Sequence, residues 1–146
     1  MSYVLQLNAK DLIGTAAAPV TLTAAFSANQ SSALVIAEYS KLTFEIDYTP
    51  VISDRKLVIQ YEVSFDNTNF YKDTGKLTGI ENKKLRILNT EFDAIDAATA
   101  HKLIDKVEFI DYYLRVSMKE LVASDNSNPS ASFGTAHIRV ILPIER

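Results

Sequence analysis

The sequence predicts an all-β domain, an antiparallel sandwich of two sheets with about eight strands. Residues 42–49 and 57–65 alternate apolar and polar side chains, which is the period-two pattern of a strand with one buried face. Short polar segments rich in Asn, Asp and Ser separate the apolar runs, as turns do. A jelly roll is one of the topologies that such a set of strands allows.

The composition is that of an ordinary globular protein. The chain has 146 residues, of which 47% are hydrophobic and 23% charged, enough to build one domain without a disulfide or metal. Cysteine is absent, which excludes thiolate zinc sites and thiol nucleophiles. The net charge of -3 argues against a nucleic-acid coat protein. The chain has neither a transmembrane-length apolar run nor a signal peptide pattern, so we expect a soluble, intracellularly made protein without nucleic-acid or membrane partners.

The first 19 residues allow two interpretations. Residues 3–7 alternate like a strand and precede an Ala-rich segment. This region, 1–19, is either an N-terminal edge strand or an arm that pairs with a neighbouring subunit. Residues 20–146 are interpreted as a single β-sandwich domain, which begins with short strands at 20–24 and 33–37.

The two central strands have clear boundaries. Pro50 ends the first of them, because proline has no N–H to donate to a strand ladder. After the second, residues 66–69 read Asp-Asn-Thr-Asn, a composition that predicts a tight hairpin turn into a return strand at 70–72.

The second half of the chain is partly ambiguous. Residues 93–104 have helix-like apolar spacing but fit equally a loop that leads into a strand, so the sequence predicts at most one short helix there. Residues 112–118 and 136–142 alternate clearly and predict the last two long strands. The polar segment 124–132 between them is interpreted as a flexible hairpin tip.

Candidate catalytic residues are few. His101 and His137 lack the partner spacing of a zinc site, and both are predicted to be surface imidazoles. Glu45, Asp47 and Glu62 lie on outward strand phases and could share a face. A glycosidase needs two such carboxyls about 5–9 Å apart, but acids on sheets are commonly there for solubility. We therefore expect no enzyme.

The two polar loops could offer oxygen ligands to calcium. Residues 66–69 and 125–128 are rich in Asp and Asn. Tyr71 stands where a calcium loop of the EF-hand type needs glycine, so a plain turn is the better interpretation. The sequence thus predicts no catalytic, cofactor or metal site.

The tyrosines are the best candidates for a contact surface. Tyrosine favours interfaces because it buries a large ring while its hydroxyl stays hydrated. The same rings could stack on sugars, but tryptophan is absent. The candidate interface residues are Tyr3, Leu5, Tyr39, Tyr71, Tyr112 and Tyr113.

The central stretch resembles a pattern found in small virion proteins of tailed bacteriophages. In that pattern a strand that ends in Asp-Tyr-Thr, as at 47–49, precedes a strand and a turn of the form Val-Glu-x-Ser-x-Asp-Gly-Thr-x-Trp-Tyr. Here residues 61–71 read Tyr-Glu-Val-Ser-Phe-Asp-Asn-Thr-Asn-Phe-Tyr. The later segment 113–117, Tyr-Leu-Arg-Val-Ser, matches the Tyr-x-Arg-Val-Ser strand that often follows.

The resemblance covers about half of the chain, and its motifs describe a hairpin of a β-sandwich rather than an activity. The sequence departs from the pattern at Tyr61, Asn67 and Phe70, where the family tends to have Val, Gly and Trp.

The resemblance implies a non-enzymatic structural protein of a bacteriophage virion. The expected role is that of a capsid decoration or auxiliary protein that binds the shell through protein–protein contacts, with a head–tail connector or tail component as the alternative. The expected partners are the major capsid protein or other virion proteins, in a homo-oligomer or symmetric lattice. Its location would be the virion, after synthesis in the host cytoplasm. A carbohydrate-binding β-sandwich module is the rival from another class.

Overall fold

The computed structural model describes residues 6–39, 41–72, 86–88, 100–108 and 112–144. They form ten β-strands in two antiparallel sheets of five strands each. This architecture confirms the two-sheet sandwich that the sequence predicts.

The strands follow one another with a single 3-10 turn, Phe26–Ala28, between the second and the third. They are β1 Gln6–Ile13, β2 Val20–Thr21, β3 Leu34–Val35, β4 Lys41–Thr49, β5 Arg55–Ser64, β6 Tyr71–Lys72, β7 Arg86–Leu88, β8 His101–Glu108, β9 Tyr113–Val122 and β10 Thr135–Ile144.

The strand order is that of a jelly roll. Sheet A has the order β1-β10-β4-β8, with β2 also paired to β10, and sheet B has the order β3-β9-β5-β6, with β7 also paired to β5. Early strands thus pair with late ones in a nested way: β1 with β10, β3 with β9, β4 with β8 and β5 with β6. Such nesting arises when a long antiparallel ribbon is wrapped into two facing sheets.

The core lies between the sheets and is built from the predicted inward phases. Phe44 on β4 and Tyr61 on β5 meet across it, with ring centroids 5.1 Å apart. Alternate residues of the four long strands are almost completely buried: Leu42, Phe44, Ile46, Tyr48, Leu57, Ile59, Tyr61, Leu114, Val116, Met118, Ala136, Ile138 and Val140. The period-two patterns therefore identify the core-facing residues correctly, but on β5 the prediction of an exposed outward phase is wrong, since Val58 and Gln60 are buried as well.

The pairing of the central strands differs from a simple hairpin. Strand β4 belongs to sheet A and β5 to sheet B, so the two pack face to face instead of hydrogen-bonding. Residues 124–132 likewise connect β9 in one sheet to β10 in the other, so the predicted hairpin tip there is wrong. Alternation reports which face is buried and carries no information on the partner strand. The hairpin turn predicted at 66–69 is confirmed, since it joins the paired strands β5 and β6.

Strand β8 covers part of the segment with helix-like spacing. It begins at His101 and pairs along its whole length with β4. The possible helix is therefore wrong over 101–104, while residues 93–99 lie outside the described residues. The ladder hydrogen bonds to β4 satisfy the backbone here, which overrides the weak helical periodicity.

The first strand lies on the edge of sheet A. Strand β1 pairs with β10 from Gln6 to Ile13, with a β-bulge between Asp11 and Ile13. It extends into the segment interpreted as an Ala-rich connection, and residues 1–5 lie outside the described residues.

Candidate interaction surface

Two aromatic rings meet at one end of the sandwich. Phe65 directly follows β5 and Tyr112 directly precedes β9, where Ser64 pairs with Tyr113. The two rings are therefore neighbours, with centroids 5.3 Å apart in an edge-to-face arrangement of 75°. Phe65 is nevertheless 60% exposed and Tyr112 52% exposed. Both lie on the inward phase of their strands, but beyond the point where the facing sheet covers them.

Two further apolar side chains are exposed near this ring pair. Val35 is 61% exposed and pairs with Tyr113, while Tyr71 is 69% exposed and pairs with Val63. By strand register, four of the seven large hydrophobic side chains that are exposed among the described residues lie at the same end of sheet B, and two of them, Phe65 and Tyr112, are in ring contact. We call these four the aromatic end of the sandwich: Val35, Phe65, Tyr71 and Tyr112.

A turn built on Asp66 holds Phe65 in place. Asp66 Oδ1 accepts hydrogen bonds from Asn69 N at 2.8 Å, from Thr68 N at 2.9 Å and from Ser64 Oγ at 2.8 Å. These bonds, above all those from the backbone N–H groups of Asn69 and Thr68, hold the pKa of the Asp66 carboxyl well below its usual range. The side chain closes the turn on its own backbone, as an Asx turn does.

The predicted interface residues divide into three groups. Tyr71 and Tyr112 are exposed at the aromatic end, and Tyr113 is half-buried beside them. Tyr39 is half-buried and packs against the core. Tyr3 and Leu5 lie outside the described residues.

The sequence interpretation missed two members of the aromatic end. Phe65 was assigned to the buried phase of its strand, and that prediction is wrong because the strand ends one residue earlier, at Ser64. The apolar run 33–37 fits a buried strand, and that prediction is wrong at Val35, which is 61% exposed, because a short apolar run does not reveal which of its residues face outward.

A polar network borders the aromatic end on the outer face of sheet B. Arg115 donates from Nη2 to Glu62 Oε2 at 3.0 Å and lies over the Phe70 ring, 4.4 Å from its centroid. Gln30 Nε2 donates to the other oxygen of Glu62 at 3.3 Å. Both oxygens of Glu62 are thereby paired with donors, whereas Nε of Arg115 is buried without a hydrogen-bond partner among the described residues.

The outer face of sheet A carries a shallow charged groove of about 270 Å³. Arg139 Nη2 lies 2.6 Å from Glu45 Oε1, and Lys102 Nζ lies 3.2 Å from Asp47 Oδ1. Each acid is thus matched by a base on a neighbouring strand, which is how cross-strand pairs stabilise a sheet. The groove therefore consists of paired charges.

His137 differs from its prediction as a surface imidazole. It is only 5% exposed, since the chain after β1 passes over it and Gly14 lies against its Cβ. Its Nδ1 lies 3.3 Å from Asp47 Oδ2, and its Nε2 lies 3.8 Å from Asp11 Oδ1. His101 is half-buried at the start of β8.

Of the three carboxylates considered for a catalytic set, one is separated from the other two. Glu45 and Asp47 are on the outer face of sheet A, whereas Glu62 is on the outer face of sheet B. The prediction that the three could share a face is therefore right for Glu45 and Asp47 and wrong for Glu62, because β4 and β5 belong to different sheets. Within the described part of the chain, no cluster of three or more His, Asp or Glu residues could hold a metal.

The opposite end of the sandwich contains a buried carboxyl that the sequence interpretation missed. Glu120 on β9 is fully buried. Its Oε2 accepts a hydrogen bond from Tyr48 Oη at 2.5 Å, and its Oε1 accepts one from Gly134 N at 3.0 Å. A Cβ on residue 134 would come within 2.5 Å of the Thr49 carbonyl oxygen. We call Tyr48, Glu120 and Gly134 the polar end.

No protein-family model matches the chain, and no curated protein matches it. In the described residues no helix is long and apolar enough to cross a membrane.

Proposed function

We propose that this chain is a non-enzymatic structural protein of a bacteriophage virion that binds other virion proteins through its aromatic end. The capsid decoration or auxiliary role is the preferred form of the proposal, with the major capsid protein as partner. A head–tail connector or tail component is the alternative. The sequence resemblance of residues 42–71 and 113–117 supports the virion context.

The single observation that carries the proposal is the exposed ring pair Phe65 and Tyr112. Both rings extend beyond the core and are not needed to fill it. Each exposes more than half of its surface to solvent. Interfaces are enriched in aromatic side chains. An exposed apolar pair with an ion pair nearby on the same strands, here Arg115 and Glu62, is a feature of protein–protein contacts.

The geometry of the aromatic end suits repeated attachment. Phe65 adjoins a turn fixed by Asp66 and Tyr112 packs against its ring, so little conformational freedom is lost when a partner binds. A single small contact through the aromatic end would be weak. Several such contacts made at once on a symmetric lattice would bind more strongly through avidity.

The decisive experiment is quantitative mass spectrometry of purified virions whose genome encodes this chain. A copy number on the order of hundreds per particle supports the capsid role, whereas about six or twelve copies indicate the neck or tail, because copy number follows the symmetry of the assembly. Absence of the chain from purified particles would overturn the proposal.

A carbohydrate-binding module is the rival, and the exposure of Tyr71 favours it. This ring is 69% exposed at the sheet edge and offers the kind of surface on which sugars stack. Glycan-array binding that disappears in Tyr71→Ala would support the rival, and an array without signal would remove it.

A further inference from the structure

The middle of strand β1 is attached to the domain mainly through its backbone. The strand makes seven register pairs with β10. Its side chains at Asn8, Ala9, Lys10 and Asp11 are all exposed, although successive residues of a strand point to opposite faces. Of the side chains described from residue 8 onward, Leu12 and Ile13 at the C-terminal end of the strand pack against the core. Residues 8–11 therefore contribute ladder hydrogen bonds and little apolar burial.

The opposite edge of sheet A is held differently. On β8, Leu103 packs against the core and Asp105 accepts a hydrogen bond from Tyr61 Oη at 2.7 Å. Strand β8 is thus fixed by side chains that reach the facing sheet, whereas the middle of β1 makes no such contact among the described residues.

The connection after β1 has the properties of a hinge. Gly14 has a φ of 67°, and residues 15–19 are all exposed. The backbone N–H of Thr15 donates to the carbonyl of Ala18, and that of Ala18 donates to the carbonyl of Thr15, each at 3.2 Å. These hydrogen bonds lie within the loop and do not tie it to the core. Six residues, 14–19, can span about 20 Å when extended. Opening the loop therefore costs residues 15–19 no core contact, and the cover that Gly14 gives to His137 is restored by Gly14 of the exchanged chain.

We propose that β1 is exchanged between two copies of this chain, each lending its first strand to β10 of the other. The exchanged strand makes the same seven pairs as the resident one, and the incoming Leu12 and Ile13 fill the same places in the core. The monomer and the strand-exchanged dimer contain the same contacts. Formation of the dimer therefore costs only the entropy of association and of ordering the hinge. The inference is independent of the proposed virion role, since it rests on β1, β10 and the hinge alone.

The absence of cysteine makes a clean test possible. Ala9 pairs with Ile141 on β10, so their Cβ atoms are within disulfide reach. The single variants Ala9→Cys and Ile141→Cys are mixed at high concentration, incubated and oxidised. We expect a mixed disulfide dimer on a non-reducing gel, identified by peptide mass spectrometry, whose yield rises with protein concentration.

A matched pair in the middle of the sheet is the control. Thr43 on β4 also pairs with Ile141, but β4 lies between two strands and cannot leave. Mixing Thr43→Cys with Ile141→Cys should give at least about tenfold less mixed dimer, because only an exchanged edge strand joins residues of two chains in register.

The double variant Ala9→Cys/Ile141→Cys completes the test. Interchain disulfides that increase with concentration support exchange, whereas intrachain disulfides alone at every concentration overturn it. A double variant that forms no disulfide at all also overturns the proposal, since the pairing on which it rests would then be absent.

Discussion

The two ends of this sandwich are built on opposite principles. At the polar end an acidic side chain, Glu120 of sheet B, is completely buried and is hydrogen-bonded to Tyr48 of sheet A and to Gly134, which directly precedes β10 of that sheet. At the aromatic end apolar rings, Phe65 and Tyr112, extend into solvent and are supported by a local turn.

The difference separates stability from function. A buried polar group is costly unless it is fully hydrogen-bonded, so the polar end must keep its geometry for the fold to survive. An exposed ring pair contributes little to the core, so nothing in folding explains why it is there. The polar end therefore belongs to the architecture, and the aromatic end is the surface on which the proposed contacts with other molecules depend.

The largest effect on stability is expected from Glu120→Ala. The substitution removes the acceptor of the Gly134 N–H and leaves a cavity between the sheets, which together cost roughly 3 kcal/mol or more of unfolding free energy. Urea unfolding followed by circular dichroism measures the loss. Glu120→Gln is the matched control, because its amide can still bond Gly134 and Tyr48, and it should lose under about 1.5 kcal/mol. Equal stability of Glu120→Ala and wild type would show that the polar end does not hold the sheets together.

Much of the fold is predictable from alternation alone. The inward residues of β4, such as Phe44 and Tyr48, and of β10, such as Ile138, are buried as their spacing indicates. The turn at Asp66 is also predictable, because Asp and Asn bond their own backbone in a way that needs no distant partner.

What depends on distant parts of the chain is not predictable. Alternation cannot show that β4 and β5 lie in different sheets, which is why Glu45 and Glu62 are on separate faces. His137 is on the outward phase and still buried, because the loop at Gly14 covers it. Glu120 follows Met118 on the inward phase of β9, so a buried acid could have been noticed, but its partners on β4 and before β10 could not.

A smaller effect is expected from Asp66→Asn, which tests the support of the aromatic end. The pKa of Asp66 is lowered in the folded protein, so its ionised form stabilises the fold above the unfolded value of about 3.9. This contribution is lost as the pH falls through the lowered folded pKa. The difference in unfolding free energy between wild type and Asp66→Asn should therefore be largest above about pH 5 and shrink towards about pH 3. Urea titrations across this range measure it.

Asp125→Asn tests the same effect at a second position, where the loss of unfolding free energy should again be larger at high pH than at low pH. Hydrogen bonds from Ser127, first from its side chain and then from its backbone, lower the pKa of Asp125 in the other Asx turn. A difference between wild type and Asp66→Asn that stays constant across the pH range would contradict the role of the carboxylate in the turn.

The smallest effect on stability, and the largest on binding, is expected from Phe65→Ser/Tyr112→Ser. The double variant loses one edge-to-face pair at the surface, which costs about 1 kcal/mol of unfolding free energy. If the rings form the attachment surface, affinity for assembled capsid shells should fall about thirtyfold, since truncating interface aromatics typically costs ~2 kcal/mol or more. Co-sedimentation with purified shells measures the loss.

Ile104→Ser is the control that distinguishes binding through the aromatic end from nonspecific binding through any exposed apolar side chain. Ile104 is 65% exposed, comparable with Phe65, but lies on the outer face of sheet A beside the charged groove. Because this variant removes an exposed apolar side chain away from the aromatic end, its shell binding should equal that of wild type. Equal losses in both variants would mean that exposed apolar area, rather than the aromatic end, drives binding. Unchanged shell binding by Phe65→Ser/Tyr112→Ser would instead place the contact on another surface. The two ends of the sandwich would then differ in their contribution to stability alone.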